Sequence, residues 1–313
     1  MHLLLRPAGK RTTTHGPDTM TPEALSQWLA ERPRVLDGGL GSELLRRGVA
    51  SAGRLWGVGA LLDDPAAVGG LHRDYAAAGA EALTAATFRV APYSLRRLGL
   101  EGMAAELARR AVGLARDGAA DAARPALVFA AWTTLEDCYR PDLAPDDATV
   151  EREHAATASA LAASGADALL LETFNTVREA CAAVRAATAT GLAVVVAFAC
   201  REGGRLLSGE DAGEAAAAVA VPGVAAVGVN CTRRVDMMPA LVRVAAATDR
   251  PLVAYANDAW FADDAQWLAA TPAQPGSYGR CALAWTAAGA RLVGGCCGTT
   301  PEHIAAVAEA LAG

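Results

Sequence analysis

A chain of 313 residues, 53% hydrophobic and 20% charged, carries enough apolar material for a sizeable core, which excludes a disordered or collagen-like polymer. With 28 Lys plus Arg against 34 Asp plus Glu, a formal net charge of −6, and no basic block, it lacks the electrostatic footprint of a nucleic-acid partner. No uninterrupted apolar run reaches the roughly eighteen residues of a membrane span.

Residues 1–20 mix Arg, Thr, Pro and Gly without periodicity and are expected to form a mobile tail. From there short strand-type runs recur: RVLDGG from Arg34, EALTAATF from Glu81, ALVFAAW from Ala126, ADALLLET from Ala166, LAVVVAFAC from Leu192, VAAVGVNC from Val224, PLVAYAND from Pro251 and ARLVGGCCG from Ala290. Ala-rich helical stretches lie between them, among them 64–79, 150–164, 176–188, 236–247 and 301–311, several opened by Asp, Thr or Pro in capping positions. Several runs are apolar on both faces, as parallel strands covered by helices should be. Eight alternations over 21–313 predict a single α/β domain, a (β/α)8 TIM barrel. A doubly wound open sheet would want a G-x-G-x-x-G turn after its first strand, and DGGLGSEL lacks that spacing.

In such a barrel the reactive groups gather at the C-terminal ends of the strands. The residues there are Asp37, Thr87 with Phe88, Glu172, Cys231, Asn257, and Cys296 with Cys297. Three thiols from the sixth and eighth strands, with one strand between, can meet at the mouth. Three thiolates with a fourth position open suit a zinc ion that activates a substrate. A redox pair at Cys296 and Cys297, or three buried thiols acting as small hydrophobes, stay open on spacing alone. Gly294 and Gly295 are expected to supply unusual backbone angles ahead of the pair. Cys138, Cys181, Cys200 and Cys281 read as buried hydrophobes. The seven cysteines and the N-terminus MHLLLRPAGKR, too short in apolar residues for a secretory signal, point to a reducing cytoplasm without a disulfide framework. His72, His154 and His303 show no metal-protease spacing and read as surface or helix-terminal residues.

LDGGLGSELLRRGV, LETFNTVREA, GVNC and GGCCGTTPEHI together resemble the motifs of the zinc-dependent homocysteine S-methyltransferase family. That family includes betaine and S-methylmethionine enzymes and the homocysteine domain of cobalamin-dependent methionine synthase. The resemblance runs from about Val35 to Leu311 and implies the barrel fold, zinc held by Cys231, Cys296 and Cys297, and homocysteine as the fourth ligand. It implies methyl transfer to that thiol, forming methionine. Because the sequence stops soon after its eighth strand, S-methylmethionine is the expected donor. The alternatives are a homocysteine-binding barrel served by a separate corrinoid protein, and a thiol redox protein.

Around the thiols, Asp37 and Glu172 are expected to face the substrate ammonium. Gly38 and Gly39 are expected to offer backbone N–H groups to its carboxylate. A cationic donor favours aromatic faces, for which Trp56, Phe88, Trp132 and Phe174 are placed near strand ends. Trp56 matches the family's tryptophan before the second helix, and Thr87 with Phe88 its strand-two ending. Glu179 reads as a surface or salt-bridging residue. Ala85-Ala86, the AAWTTLEDCYRPDL segment from Ala130, and Ala256-Asn257-Asp258-Ala259 depart from the family pattern, so the donor side has drifted more than the thiol side. A homo-oligomer is compatible with the reading, but no interface is legible.

Overall fold

The computed structural model describes residues 20–313 apart from 50, 52–54, 121, 123, 259, 262–266 and 269–273. Eight parallel strands carry the chain in sequence order: β1 (Arg34–Val35), β2 (Ala82–Thr84), β3 (Leu127–Trp132), β4 (Ala168–Phe174), β5 (Ala193–Arg201), β6 (Val224–Arg233), β7 (Leu252–Asn257) and β8 (Ala290–Gly295). Each pairs with its sequence neighbour except β1, which pairs with β8 at one side, Val35 opposite Val293. On the other side a single parallel bridge joins Leu36 to Ala82. There Glu81 N donates to Val35 O at 2.7 Å and Asp37 N to Ala82 O at 3.0 Å. Backbone pairing on both flanks of this two-residue strand closes the predicted barrel.

Two apolar cores follow from the two-residue period of strands. Inward residues, among them Leu36, Phe129, Leu170, Val195, Val253 and Leu292, fill the barrel, while outward ones, among them Leu83, Val128, Leu169, Val194, Val227 and Val293, pack under the helices. The floor of the inner core is a helix ahead of β1, Pro22–Glu31, started by Pro22 after a Thr21 cap whose side chain accepts from Ala24 N. Its Leu25 and Leu29 are fully buried with the inward residues, and Ser26 Oγ donates to Ala225 O at 3.1 Å. Except for Met20, whose carbonyl accepts from Ala193 N, the predicted tail lies outside the described residues. No helix among the described residues is long and apolar enough to cross a membrane.

His72, His154 and Glu179 depart from the sequence reading, because they are buried within their helices, whereas His303, also buried, is helix-terminal as expected, in the first turn of the helix Pro301–Ala312. His72 sits between the helices Pro65–Ala77 and Ala104–Ala119 with neither ring nitrogen hydrogen-bonded, and burial pushes it down to about 4. Trp132 and Phe174 point outward into the helical core, not into the mouth, and pack around His154. They form no donor cage.

Candidate metal centre and substrate cleft

The sulfurs of Cys231, at the end of β6, and of Cys296 and Cys297, following β8, lie within 4.8 Å of one another. Cys231 Sγ and Cys297 Sγ are 3.7 Å apart. That is far beyond the roughly 2.05 Å of a disulfide and close to the roughly 3.8 Å edge of a tetrahedron with 2.3 Å metal–sulfur bonds. Soft sulfur donors in this arrangement fit a thiophilic ion such as zinc. Hydrogen bonds from Cys296 and Cys297 hold the Cys231 thiol well below its usual range against the opposing effect of burial, with Tyr139 and Asn257 adding to the shift.

The backbone is bent to bring the thiols together, but not where the sequence suggested. Cys231 itself is left-handed, φ 48°, as is Thr173 across the mouth, φ 63°. Neither type adopts that region cheaply. Asn230 bridges the two strands: its Oδ1 accepts from Thr173 N at 2.8 Å and its Nδ2 donates to Thr173 Oγ1 at 2.9 Å. Gly294 and Gly295 are not among the residues of positive φ. They are small because neighbours press close. A Cβ on Gly294 would meet Leu36 O at 2.6 Å, and one on Gly295 would meet Thr299 Oγ1 at 2.2 Å.

The loops after β1 and β8 are stitched together. Thr299 Oγ1 donates to Cys296 O at 2.7 Å and accepts from Gly39 N at 3.1 Å, while Ser42 Oγ accepts from Gly298 N at 3.0 Å. The Gly39 N–H is therefore committed to protein, leaving Gly38 as the amide of the predicted pair without a partner among the described residues. Behind the thiols, Asn257 Oδ1 accepts from Cys297 N at 3.2 Å, and Asp258 N donates to Cys297 O at 2.8 Å. The Asp258 carboxylate pairs with Arg234 at 2.9 Å and His303 at 3.3 Å. These polar supports fix the loops on which the sulfurs ride.

Asp37, Gly38, Gly39, Trp56, Phe88 and Glu172 line one cleft with the three cysteines. Thr87 does not join them: its hydroxyl donates to Ala131 O and accepts from Ala131 N, each at 2.8 Å, tying the end of β2 to β3. Asp37 Oδ2 accepts from Thr84 N at 2.8 Å, yet burial pushes its carboxyl up to about 8. Burial, reinforced by the Cys231 charge, likewise pushes Glu172 up to about 8 against a hydrogen bond from Tyr255 Oη at 3.2 Å. Two acids so desolvated are a ready seat for a cation.

Sequence reasoning passed over Tyr139, whose hydroxyl lies 2.9 Å from Cys231 Sγ. It also missed Asn230, Thr299 and Tyr255. Asn230 stood in plain view beside Cys231 in GVNC; Tyr139 falls in the aperiodic segment after β3, where no pattern marks it.

A parallel eight-stranded barrel with a three-thiol group and two buried acids at the C-terminal mouth defines a barrel protein built to hold a thiophilic metal beside a small-molecule cleft. The family model for homocysteine S-methyltransferase matches residues 34–311, and the chain belongs to that family. Homocysteine S-methyltransferase from Escherichia coli (strain K12) is 32% identical over 294 residues, 87% of this chain and 93% of that protein. Homocysteine S-methyltransferase YbgG from Bacillus subtilis (strain 168) is 29% identical, with 88% of this chain and 93% of that protein covered. Among solved structures, the metallated form of the E. coli homocysteine methyltransferase MmuM superposes with a TM-score of 0.78 at 29% identity, over 91% of this chain and 99% of that one.

Proposed function

We propose that this protein transfers a methyl group from S-methylmethionine to the thiol of homocysteine, with zinc held by Cys231, Cys296 and Cys297. Methyl transfer to homocysteine is the activity of the family; the donor and the identity of the metal are the further steps. The observation that carries the reading is the three-sulfur group opening onto a cleft with two buried carboxyls.

Zinc bound there would take up the substrate sulfur as a thiolate and so lower its pKa into the neutral range. Asp37 and Glu172 offer the ammonium two partners already stripped of water, and the arriving cation draws both toward their ionised forms. The Gly38 amide, which lines the same cleft, would donate to the carboxylate. Trp56 and Phe88 flank the same cleft, where aromatic faces attract a sulfonium. The carbon–sulfur bond of the sulfonium breaks with its electron pair returning to the donor sulfur, and the new bond forms to the homocysteine sulfur, which has given its proton to solvent. S-methylmethionine and homocysteine thus yield two methionines and one proton. Sulfurs that must stay reduced suit a reducing compartment, the cytoplasm.

The test is methionine formation from homocysteine with S-methylmethionine, S-adenosylmethionine, betaine or methylcobalamin, with zinc measured in the same preparation. We expect about one zinc per chain, S-methylmethionine as the best donor, and loss of zinc and turnover together in Cys296→Ser. Full turnover by metal-free protein would overturn the metal assignment, and a preference for another donor would overturn that of S-methylmethionine.

A further inference from the structure

The segment between β3 and the helix Asp147–Ala162 reaches over the mouth to the three thiols and is fastened by polar side chains, two of them, Glu179 and Asn175, fully buried. Leu135 N donates to Glu179 Oε1 at 2.8 Å, and Asn175 Nδ2 donates to Cys138 O at 2.8 Å. Arg89 donates to the carbonyls of Thr134 at 2.8 Å and Glu136 at 2.9 Å. Directly after the Cys138 anchor comes Tyr139, with its hydroxyl 2.9 Å from Cys231 Sγ.

Glu179 is itself held. Trp132 Nε1 donates to His154 Nδ1 at 3.2 Å, so that ring nitrogen carries no proton and the other, Nε2, donates to Glu179 Oε1 at 3.1 Å. Trp132, His154 and Glu179 are each at most 1% exposed. A carboxylate placed in the apolar layer between barrel and helices costs desolvation, and packing alone gives no reason for it. What it reaches is the backbone of the segment that delivers Tyr139.

We propose that Tyr139 donates a hydrogen bond to the metal-binding sulfur of Cys231, and that Glu179 and Asn175 are positioning residues that hold the 133–140 segment so that it does. This rests on the metal reading above and goes beyond it to how the ligand is tuned. A bound thiolate has no proton to give, so the hydroxyl is the donor. A hydrogen bond to such a sulfur lowers its lone-pair energy and reduces its donation to the metal, the way outer partners adjust a metal site. Glu179 and Asn175 touch neither metal nor substrate; they act through the loop.

The experiment uses the full-length protein with cobalt(II) in place of zinc, reading the sulfur-to-cobalt charge-transfer band, together with zinc affinity by chelator competition. In Tyr139→Phe the band moves to longer wavelength as the sulfur lone pairs rise in energy, and zinc affinity falls about tenfold or more, the scale for losing an outer partner, because the buried thiolate charge loses the donor that stabilised it and this outweighs the stronger donation. Asn175→Ala and Glu179→Leu change both readouts in the same direction. Glu179→Gln keeps an oxygen for Leu135 N and His154 and stays near wild type. The double variant Tyr139→Phe/Asn175→Ala goes no further than Tyr139→Phe alone, since both act at one hydrogen bond. If Glu179→Leu does not fold, Asn175→Ala and the double variant decide. An unchanged band in folded Tyr139→Phe, or fully additive effects in the double variant, overturns the proposal. Failure of the wild-type protein to bind cobalt or zinc overturns the metal reading instead.

Discussion

Thr173 and Asn230 show how one residue pair sustains bent backbone at the barrel mouth. Thr173 is β-branched and left-handed, a conformation costing on the order of 1–3 kcal/mol, and its amide donates to the Asn230 side chain at 2.8 Å. In Asn230→Ala that buried donor loses its partner, so we expect a loss of about 1–3 kcal/mol in urea unfolding, with weaker zinc binding because Cys231 is the next residue. Asn230→Asp retains the acceptor and should lose less. Asp37 makes the opposite trade. Its carboxyl stands at about 8 in the fold against an ordinary 3.8, so the folded state binds more protons than the unfolded chain between those limits. The stability it contributes is complete below the ordinary value and drains away as pH climbs through 8. Asp37→Asn should therefore stabilise the substrate-free protein at pH 8 by at least about 1 kcal/mol, the scale of one pKa unit, while raising the KM for homocysteine. A variant no more stable at pH 8 than at pH 5, relative to wild type, would contradict this. That Cys231, Cys296, Cys297, Asp37 and Glu172 gather at one mouth was legible because a strand end is a position that sequence reveals. Tyr139 was not, since its place depends on where Glu179 and Asn175 hold a loop of no period.

The strands were readable as elements because both of their faces are covered, leaving near-continuous apolar runs between glycines and charges. Helix faces were not. Alanine is at home on either side of a helix, so in VREACAAVRAAT, the helix Val177–Thr188, the pattern does not announce that Glu179 faces inward. His72 and His154 were misjudged for the same reason. The floor helix Pro22–Glu31 carries a legible start, Thr21 followed by Pro22, but nothing local says that it seals a barrel. Its contribution can be separated from the chemistry, because it packs at the end of the strands opposite the thiols. Truncating fully buried Leu29 to Ala removes atoms from the inner core at a cost of about 2–5 kcal/mol, and the residue touches nothing in the cleft. We expect the denaturation midpoint to drop while kcat and KM at 20 °C in the folded protein stay within about twofold, well inside the roughly tenfold that 1.36 kcal/mol would give. A matching loss in kcat would show that floor and mouth are coupled through the barrel.

Across the whole molecule, the three-thiol group and the closure of the barrel are one construction. The loop after β1, near the start of the described chain, is tied to the loop after β8, near its end, by Thr299 and Ser42, and those same loops carry Gly39, Cys296 and Cys297. Between β1 and β2 the sheet is joined by one bridge, the narrowest seam in the ring. An ion gripped by Cys231 on one side and Cys296 with Cys297 on the other would add a clasp beside the strand that must hold both flanks, and would bind the folded chain in preference to the unfolded one. Such linkage stabilises by RT ln(1 + [L]/Kd), about 4 kcal/mol with free metal at a thousand times Kd. We therefore expect zinc to raise the calorimetric Tm of the whole domain in a single transition, a chelator to reverse the rise, and Cys297→Ser to abolish it. Hydrogen exchange should show the added protection at Leu36, Asp37 and Glu81, whose amides pair across β1, as well as at the thiol loops. If zinc protected the loops alone and left those amides and the Tm unmoved, the centre would be an ornament on a barrel already closed, not part of what closes it.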